Sequence, residues 1–243
     1  MAGALLLAGC GGKKTQVKVP PPPPLPQSSP NTEPATAPTA IEPAPEKNDQ
    51  EEQIAVPADA KVLFEETGLA SWYGAPYHNR RGSNGEVYNM QAMTAAHRTL
   101  PLGSIVRVMN PKTGHAAIVR ITDRGPFIEG RILDLSLAAA KAVDVYLPGV
   151  AKVKIEVLET PAPLATGGRW AVQIGSFANE KSAKELADQL QRRYRTANVL
   201  KFGSPVGDWW VRVRVLNDDR DRAQALARET ETSEGSVFLV RLD

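Results

Sequence analysis

The chain has 243 residues, one cysteine and a formal net charge of +2. It therefore has no internal disulfide and lacks the strongly basic composition of a dedicated nucleic-acid-binding protein. No run of 18 apolar residues occurs in the sequence, so no transmembrane helix is predicted.

The first nine residues are small and apolar, and they end on Leu7-Ala8-Gly9 before Cys10. Small residues before a lone cysteine resemble the lipobox of bacterial lipoproteins, in which the cysteine carries a diacylglycerol. The alternative is an apolar N-terminus with a free or buried thiol. The positive segment of a usual signal peptide is missing, so we expect a start further upstream or a shortened leader. Gly11, where Asp would retain such proteins at the inner membrane, indicates the outer membrane.

A proline-rich tether is predicted over residues 10–66. Twelve of the 20 prolines lie within residues 20–57, and a segment of this composition cannot bury a core. Two pieces of domain size remain, residues 67–158 and 169–243, joined by a linker at 159–168. The first piece has 11 Lys and Arg against 6 Asp and Glu, a balance that suits an acidic polymer as partner.

The first of these pieces has the pattern of a small, mostly β barrel. Asn84-Gly85 predicts a turn, and Ser136 is expected to cap a short helix. The predicted strands are 69–73, 104–109, 115–122, a short one ending near Asp134, and 150–158. The predicted short helices are 91–96 and 137–143.

The second piece predicts the order β-α-β-β-α-β, an antiparallel sheet with both helices on one face. The predicted strands are 169–176, a short one containing Val199 and Phe202, 209–216 and 237–242, and the helices are 179–194 and 220–230. Alternation predicts that one set of side chains faces the helices: Val172, Ile174, Val211, Val213 and Val215. The opposite set is expected on an open face that binds a ligand: Ala171, Gln173, Trp210, Arg212 and Arg214.

Three carboxylates of the barrel are candidates for chemistry. Glu86 follows a glycine turn near apolar residues, which suits a general acid with a raised pKa, or else it is an ordinary exposed glutamate. Asp123 ends a strand, where it is either catalytic or caps its own turn. For Asp134 we favour a structural role, buried and hydrogen-bonded to the backbone.

One histidine accompanies these acids. His97 is suited to orienting a carboxylate, although alone it is more often a satisfied structural residue. His78 and His115 lie too far apart in sequence to form a metal-ligand pattern with it, so we expect no metal.

Together these motifs resemble the rare lipoprotein A family of septal lytic transglycosylases. The matching segments are 70–74, 84–86, 94–97, 100–103, 123–127 and 131–136. The resemblance implies a double-psi β-barrel with Glu86, His97 and Asp123 as the catalytic group, Asp134 in support, and no cofactor. It also implies cleavage of the bond from MurNAc to GlcNAc, giving 1,6-anhydro ends.

The C-terminal piece resembles a SPOR domain through residues 172–177 and 212–215. Such domains bind peptidoglycan strands that lack stem peptides, typically at division septa. Together with the lipobox, this resemblance predicts an outer-membrane lipoprotein facing the periplasm, enriched at the septum, with divisome proteins as further partners. The implied glycan-binding residues are Gln173, Ser176, Phe177, Trp210, Arg212 and Arg214.

Two departures and two alternatives stand beside this interpretation. Gly82-Ser83 replaces the family's usual Thr-Ala and is expected to loosen the loop holding Glu86. Residues 216–218 replace a common Gly-Pro-Phe after the SPOR strand. One alternative is a wall binder that grips glycan without cutting it, as expansin-related barrels do. The other is nucleic-acid binding, which the near-neutral charge of the second domain and the lipobox oppose.

Overall fold

A computed structural model describes residues 60–243 except 195–197, 204–206 and 233–234. The predicted lipobox with Cys10, and the tether up to residue 59, lie outside the described residues. The described chain folds as a β-barrel followed by an α/β sheet domain, as predicted.

Six strands close the barrel in the spatial order β1-β5-β2-β4-β3-β6, with β6 returning to β1. The pairs β1·β5 and β2·β4 are parallel, whereas the others are antiparallel. The apolar side chains of alternating positions fill the interior, including Val106, Val119, Ile121 and Val157. The strands are β1 Phe64–Trp72, β2 Thr94–His97, β3 Ile105–Met109, β4 Ala116–Asp123, β5 Arg131–Leu135 and β6 Ala151–Glu159.

The segment predicted as a short helix at 91–96 is instead a turn followed by strand β2. This prediction was wrong because β2 is a central strand that hydrogen-bonds to β4 on one side and to β5 on the other. Tertiary pairing of this kind overrides a weak local preference. Strand β1 also begins earlier than predicted, at Phe64, because its first half pairs with β6.

The short helix after β5 is confirmed. Helix α1 spans Leu137–Ala142, and the Ser136 hydroxyl accepts a hydrogen bond from the backbone N–H of Ala139. This cap satisfies one of the amides that the first helical turn leaves unpaired. Helix α1 thus covers the barrel just beyond the strand that carries Asp134.

In the C-terminal domain the strand order is β10-β7-β9-β8, and every neighbouring pair is antiparallel. Asn179 and Asp219 cap the two helices through their side chains. The elements are β7 Trp170–Phe177, α2 Glu180–Arg193, β8 Asn198–Gly203, β9 Trp209–Arg214, α3 Arg220–Glu229 and β10 Ser236–Arg241.

The predicted helix-facing side of this sheet is confirmed. Val172, Ile174, Val211 and Val213 are fully buried in a core shared with Ala183, Leu190, Ala223 and Leu226 of the two helices. Alternation along the strands therefore places Gln173, Trp210 and Arg212 on the opposite side of the sheet. None of the described helices has the length and apolar character needed to cross a membrane.

Candidate functional site

A cavity opens on the barrel between the loop after β1 and the end of strand β4. Glu86 and Asp123, two of the predicted catalytic residues, both line it. Tyr73, at the end of β1, and Tyr88 form part of the same wall, with ring centroids 4.5 Å apart. The fold therefore brings together two carboxylates that lie 37 positions apart in the sequence.

Glu86 is held at the tip of the loop that precedes Tyr88. Gly85 has a φ of +86°, which favours glycine, and the Asn84 side chain accepts a hydrogen bond from the Glu86 backbone N–H at 3.0 Å. The carboxylate receives two hydrogen bonds from the Arg120 guanidinium, at 2.9 and 2.8 Å. These bonds lower the pKa of Glu86, although its side chain remains 56% exposed. A lowered pKa is opposite to what we expected of a general acid.

Asp123 ends strand β4 and ties that strand to the loop. Its Oδ1 accepts hydrogen bonds from the backbone N–H of Ser83 at 2.9 Å and of Arg124 at 2.8 Å, and also from the Ser83 hydroxyl. The Asn84 N–H donates to the carbonyl of Thr122 at 3.2 Å. Ser83, which we expected to loosen the loop, thus fastens it to one of the candidate catalytic carboxylates.

His97 lies outside this cavity. Its Nδ1 accepts hydrogen bonds from the backbone N–H groups of Thr99 and Leu100, at 3.1 and 3.0 Å, and its Nε2 is 3.3 Å from a carboxylate oxygen of Glu66. Because Nδ1 accepts two amides, the ring proton lies on Nε2 and is donated to Glu66. Burial lowers the pKa of His97. This geometry fixes the turn after β2 and does not join His97 to Glu86 and Asp123.

Asp134 lies in the same row of the barrel as Asp123. Ala96 of β2 pairs with Asp123 on one side and with Asp134 on the other, and paired residues project to one face of a sheet. Two strand spacings give roughly 10 Å between the Cα atoms of the two aspartates. The barrel thus carries a second carboxylate on the face of Asp123.

The environment of Asp134 differs from the one we predicted. Its Oδ2 accepts a hydrogen bond from the Arg131 guanidinium at 3.1 Å and not from the backbone. Among the described residues, its buried Oδ1 has no hydrogen-bond donor. Burial raises the pKa of Asp134 to about 6; Arg131 opposes this rise and the charge of Asp123 adds to it. The environment of Asp134 therefore favours the protonated carboxyl group, whereas that of Glu86 favours the carboxylate.

Two residues of the site were missed by sequence reasoning. Arg120 alternates with the buried Val119 and Ile121 of β4, so parity marks it as lying on the side away from the core. The side chain of Tyr73 is half-buried with its hydroxyl oxygen enclosed, and burial raises the pKa of that hydroxyl. Only the closed barrel shows that both residues meet at Glu86 and Asp123.

We predicted that one face of the second sheet is open, and this prediction was wrong. Ala171 is fully buried, Gln173 is 1% exposed and Trp210 is 8% exposed. The reason is that this face packs on the barrel: the ring of Phe127 lies 5.3 Å from that of Trp210 and 5.9 Å from that of Phe238.

The remaining predicted glycan-binding residues have different surroundings. Arg212 donates to the side-chain oxygen of Gln173 at 2.8 Å, and Arg214 forms an ion pair with Asp218. Ser176 is half-buried. Phe177 is buried in the core on the helix side, so the prediction that its ring contacts glycan does not agree with the fold. The pairing register of β7 with β9 shifts between Ile174 and Phe177, so the simple alternation of side chains between the two faces of the sheet does not hold there.

Two regions of the chain match known protein families. Residues 65–155 match the family described as "Lytic transglycolase", and residues 166–240 match the family described as "SPOR domain". The first match contains Glu86, His97, Asp123 and Asp134. The second contains the sheet that packs on the barrel.

Several curated proteins named endolytic peptidoglycan transglycosylase RlpA are similar to this chain. One from Helicobacter pylori J99 is 38% identical over 160 residues, covering 54% of this chain and 51% of that protein. One from Neisseria meningitidis MC58 is 42% identical over 144 residues, covering 58% and 60%. The chain thus spans about half the length of these relatives. A solved Clavibacter michiganensis expansin aligns with a TM-score of 0.33 at 15% identity, covering 63% of this chain and 81% of that one.

Proposed function

We propose that this chain, in which residues 65–155 match a lytic transglycolase family and residues 166–240 match a SPOR domain, is a peptidoglycan lytic transglycosylase. Its substrate is the glycan strand of the bacterial wall, cut between MurNAc and GlcNAc. The observation that carries the proposal is that one loop, residues 82–86, holds Glu86 and Asp123 at a single cavity.

In the proposed reaction Glu86 donates a proton to the glycosidic oxygen as the bond to the anomeric carbon breaks. Asp123 stabilises the positive charge that develops at that carbon. Glu86, then a carboxylate, takes the proton of the sugar's C6 hydroxyl while the C6 oxygen bonds to the anomeric carbon. The products are a 1,6-anhydro end and a new hydroxyl end, with no water consumed.

The ion pair between Glu86 and Arg120 places a condition on this scheme. In the free protein the Arg120 guanidinium lowers the pKa of Glu86 and so opposes its protonation, and in the proposed scheme bound sugar draws Arg120 away. Arg120 would then donate its hydrogen bonds to oxygens of the substrate. Catalytic hydrogen bonds often reach their working geometry only in the complex. His97 would act as a positioning residue that fixes the turn between β2 and Leu100.

The SPOR domain supports peptidoglycan as the partner and the cell envelope as the location. We propose that the sheet face bearing Gln173 and Arg212 binds strands lacking stem peptides, and that this enriches the protein at the division septum with divisome proteins. Lipidation of Cys10 would anchor the protein to the outer membrane, facing the periplasm. The amide, guanidinium and indole groups of that face suit sugar hydroxyls, acetamido oxygens and ring faces.

The test is to incubate the purified chain from residue 60 onward with denuded glycan strands and to identify products by mass. We expect anhydro-ended fragments, and Glu86→Gln and Asp123→Asn should each reduce turnover by about 100-fold or more. Glu156→Gln and Asp144→Asn are matched controls, because both residues form ion pairs in the barrel and neither lines the cavity. A fully active Glu86→Gln enzyme would contradict the mechanism.

The second candidate function is a wall binder without catalysis. The contact of Glu86 with Arg120 favours it, because the guanidinium lowers the pKa of Glu86 and so stabilises the carboxylate over the protonated form that a general acid needs. Intact strands bound by the wild-type protein, with no anhydro ends under any pH tested, would establish this function instead.

A further inference from the structure

The sheet face proposed to bind glycan is not accessible in this structure. Phe238, Gln173 and Arg212 pair across three neighbouring strands, so their side chains project to the same side, and Trp210 lies two positions from Arg212. Gln173, Trp210 and Phe238 are all buried. A glycan strand needs the amide of Gln173 and the indole of Trp210 exposed if it is to bind here.

The barrel contributes two kinds of side-chain contact to this interface, ring packing and a cation over a ring. Phe127 packs against both Trp210 and Phe238. The guanidinium of Arg98 lies 5.3 Å from the centroid of the Phe238 ring, an arrangement in which a cation is attracted to the ring face. The Arg98 guanidinium also donates to the carbonyls of Pro126 and Arg131, at 3.0 and 2.6 Å, so it is held in place from the barrel side.

Backbone hydrogen bonds also join the second domain to the barrel, and they fix the orientation in which the two pack. The Arg241 N–H donates to the carbonyl of Arg98 at 3.0 Å, and the Leu102 N–H donates to the carbonyl of Asp243 at 3.1 Å. The buried guanidinium of Arg124 donates to the same Asp243 carbonyl and to the carbonyls of His97 and Leu100. The second domain is therefore docked in one defined orientation, with amides whose protection reports on the contact.

The docked sheet stands beside the candidate catalytic cavity. Phe127 is four residues from Asp123 in the same turn. The charge of Asp123 acts on the Arg212 guanidinium, and the charge of Asp208 acts on the Tyr77 hydroxyl. A glycan strand that reaches Asp123 would therefore lie near Arg212 of the second domain.

We propose that the barrel and denuded glycan compete for the same face of the SPOR domain, so that docking holds the protein in a self-inhibited state. Glycan that engages Gln173, Trp210 and Arg212 displaces the sheet from Phe127 of the barrel. This inference rests on the proposed function of both domains. It makes glycan binding by the sheet and docking of the sheet on the barrel mutually exclusive.

The size of the effect follows from the docked fraction. The apparent dissociation constant of a ligand equals its intrinsic value divided by the fraction of competent protein. If the docked form dominates by about ten to one, undocking raises glycan affinity by about tenfold. Phe238→Ala removes the ring that contacts both Phe127 and Arg98, and it leaves Gln173, Arg212 and the cavity residues unchanged.

The experiment compares the chain from residue 60 onward with its Phe238→Ala variant and with the control Leu216→Ala, whose side chain is exposed on the helix side of the domain. Hydrogen exchange of the Leu102 and Arg241 amides reports docking, and binding to denuded strands reports affinity. We expect added glycan to deprotect both amides in the wild-type chain. Phe238→Ala should deprotect them without glycan, bind about tenfold more tightly and cleave faster at low substrate.

The outcomes separate this inference from the proposed function. Deprotected amides in Phe238→Ala with unchanged glycan affinity would overturn the competition, and so would amides that stay protected in glycan-bound wild type. Absence of cleavage in every variant would sink the transglycosylase proposal, while the exchange and affinity measurements would still decide the competition. If Phe238→Ala fails to fold by circular dichroism, Phe238→Met keeps an apolar side chain while losing the ring contacts, and the same outcomes apply.

Discussion

Replacing Asp134 by Asn tests whether burial in the barrel raises the pKa of this carboxyl group. Burial raises the pKa of Asp134 from 3.8 to about 6, whereas in the unfolded chain the group titrates near its ordinary value. Between these two pH values the folded protein therefore binds more protons than the unfolded protein. The free energy of unfolding must then fall as the pH rises through this window, and it levels off above the folded pKa.

The magnitude follows from the shift. One pKa unit corresponds to about 1.36 kcal/mol, so a shift of about two units makes the folded protein about 3 kcal/mol less stable at pH 7 than at pH 3.5 through this group alone. Asparagine keeps an oxygen for the Arg131 guanidinium and carries no charge. Asp134→Asn should therefore remove the fall between pH 4 and 6 and increase stability at neutral pH by about 1–3 kcal/mol.

The assay is guanidinium unfolding followed by circular dichroism at half-unit steps from pH 3.5 to 7.5, for the wild type and two variants. Asp144→Asn is the control: hydrogen bonds from Thr113 and His115 lower the pKa of Asp144, so its contribution is lost as the pH falls and its removal leaves the fall between pH 4 and 6 in place. Parallel wild-type and Asp134→Asn curves across that window would refute the assignment of a raised pKa.

Three further outcomes are expected. Arg120→Gln should raise the pKa of Glu86 toward 4.5, because it removes the hydrogen bonds that lower it; carboxyl NMR titration measures this, and an unchanged pKa would contradict the ion pair. Val213→Asp should unfold the second domain by burying an unpaired charge, whereas Leu216→Asp, at an exposed position, should still give a native dichroism spectrum. In a protein expressed behind a complete signal peptide, Cys10→Ser should move the protein from the membrane pellet to the soluble fraction, and a variant that still pellets would refute lipidation.

Local patterns in the sequence were sufficient for most of the elements. Alternation identified the helix-facing side of the second sheet through Val211 and Val213, because a period of two is a property of the strand itself. Ser136 marked the start of α1, because a cap acts within four residues. The motifs around Glu86 and Asp123 predicted that these carboxylates belong to one site, and both line the same cavity; their chemistry stays a prediction.

Tertiary structure decided what each of these side chains meets. The strand at 94–97 forms only because β4 and β5 flank it, and no local signal marks that pairing. The pKa of Glu86 depends on Arg120, 34 residues away, and that of Asp134 on its burial in the closed barrel. The sheet of the second domain has a face opposite its helices that we expected to be open, yet the barrel covers it. The sequence by itself determined which side chains share a face, because alternation is local; only the fold decided whether that face meets solvent, a ligand or another part of the chain, because burial and charge act through space.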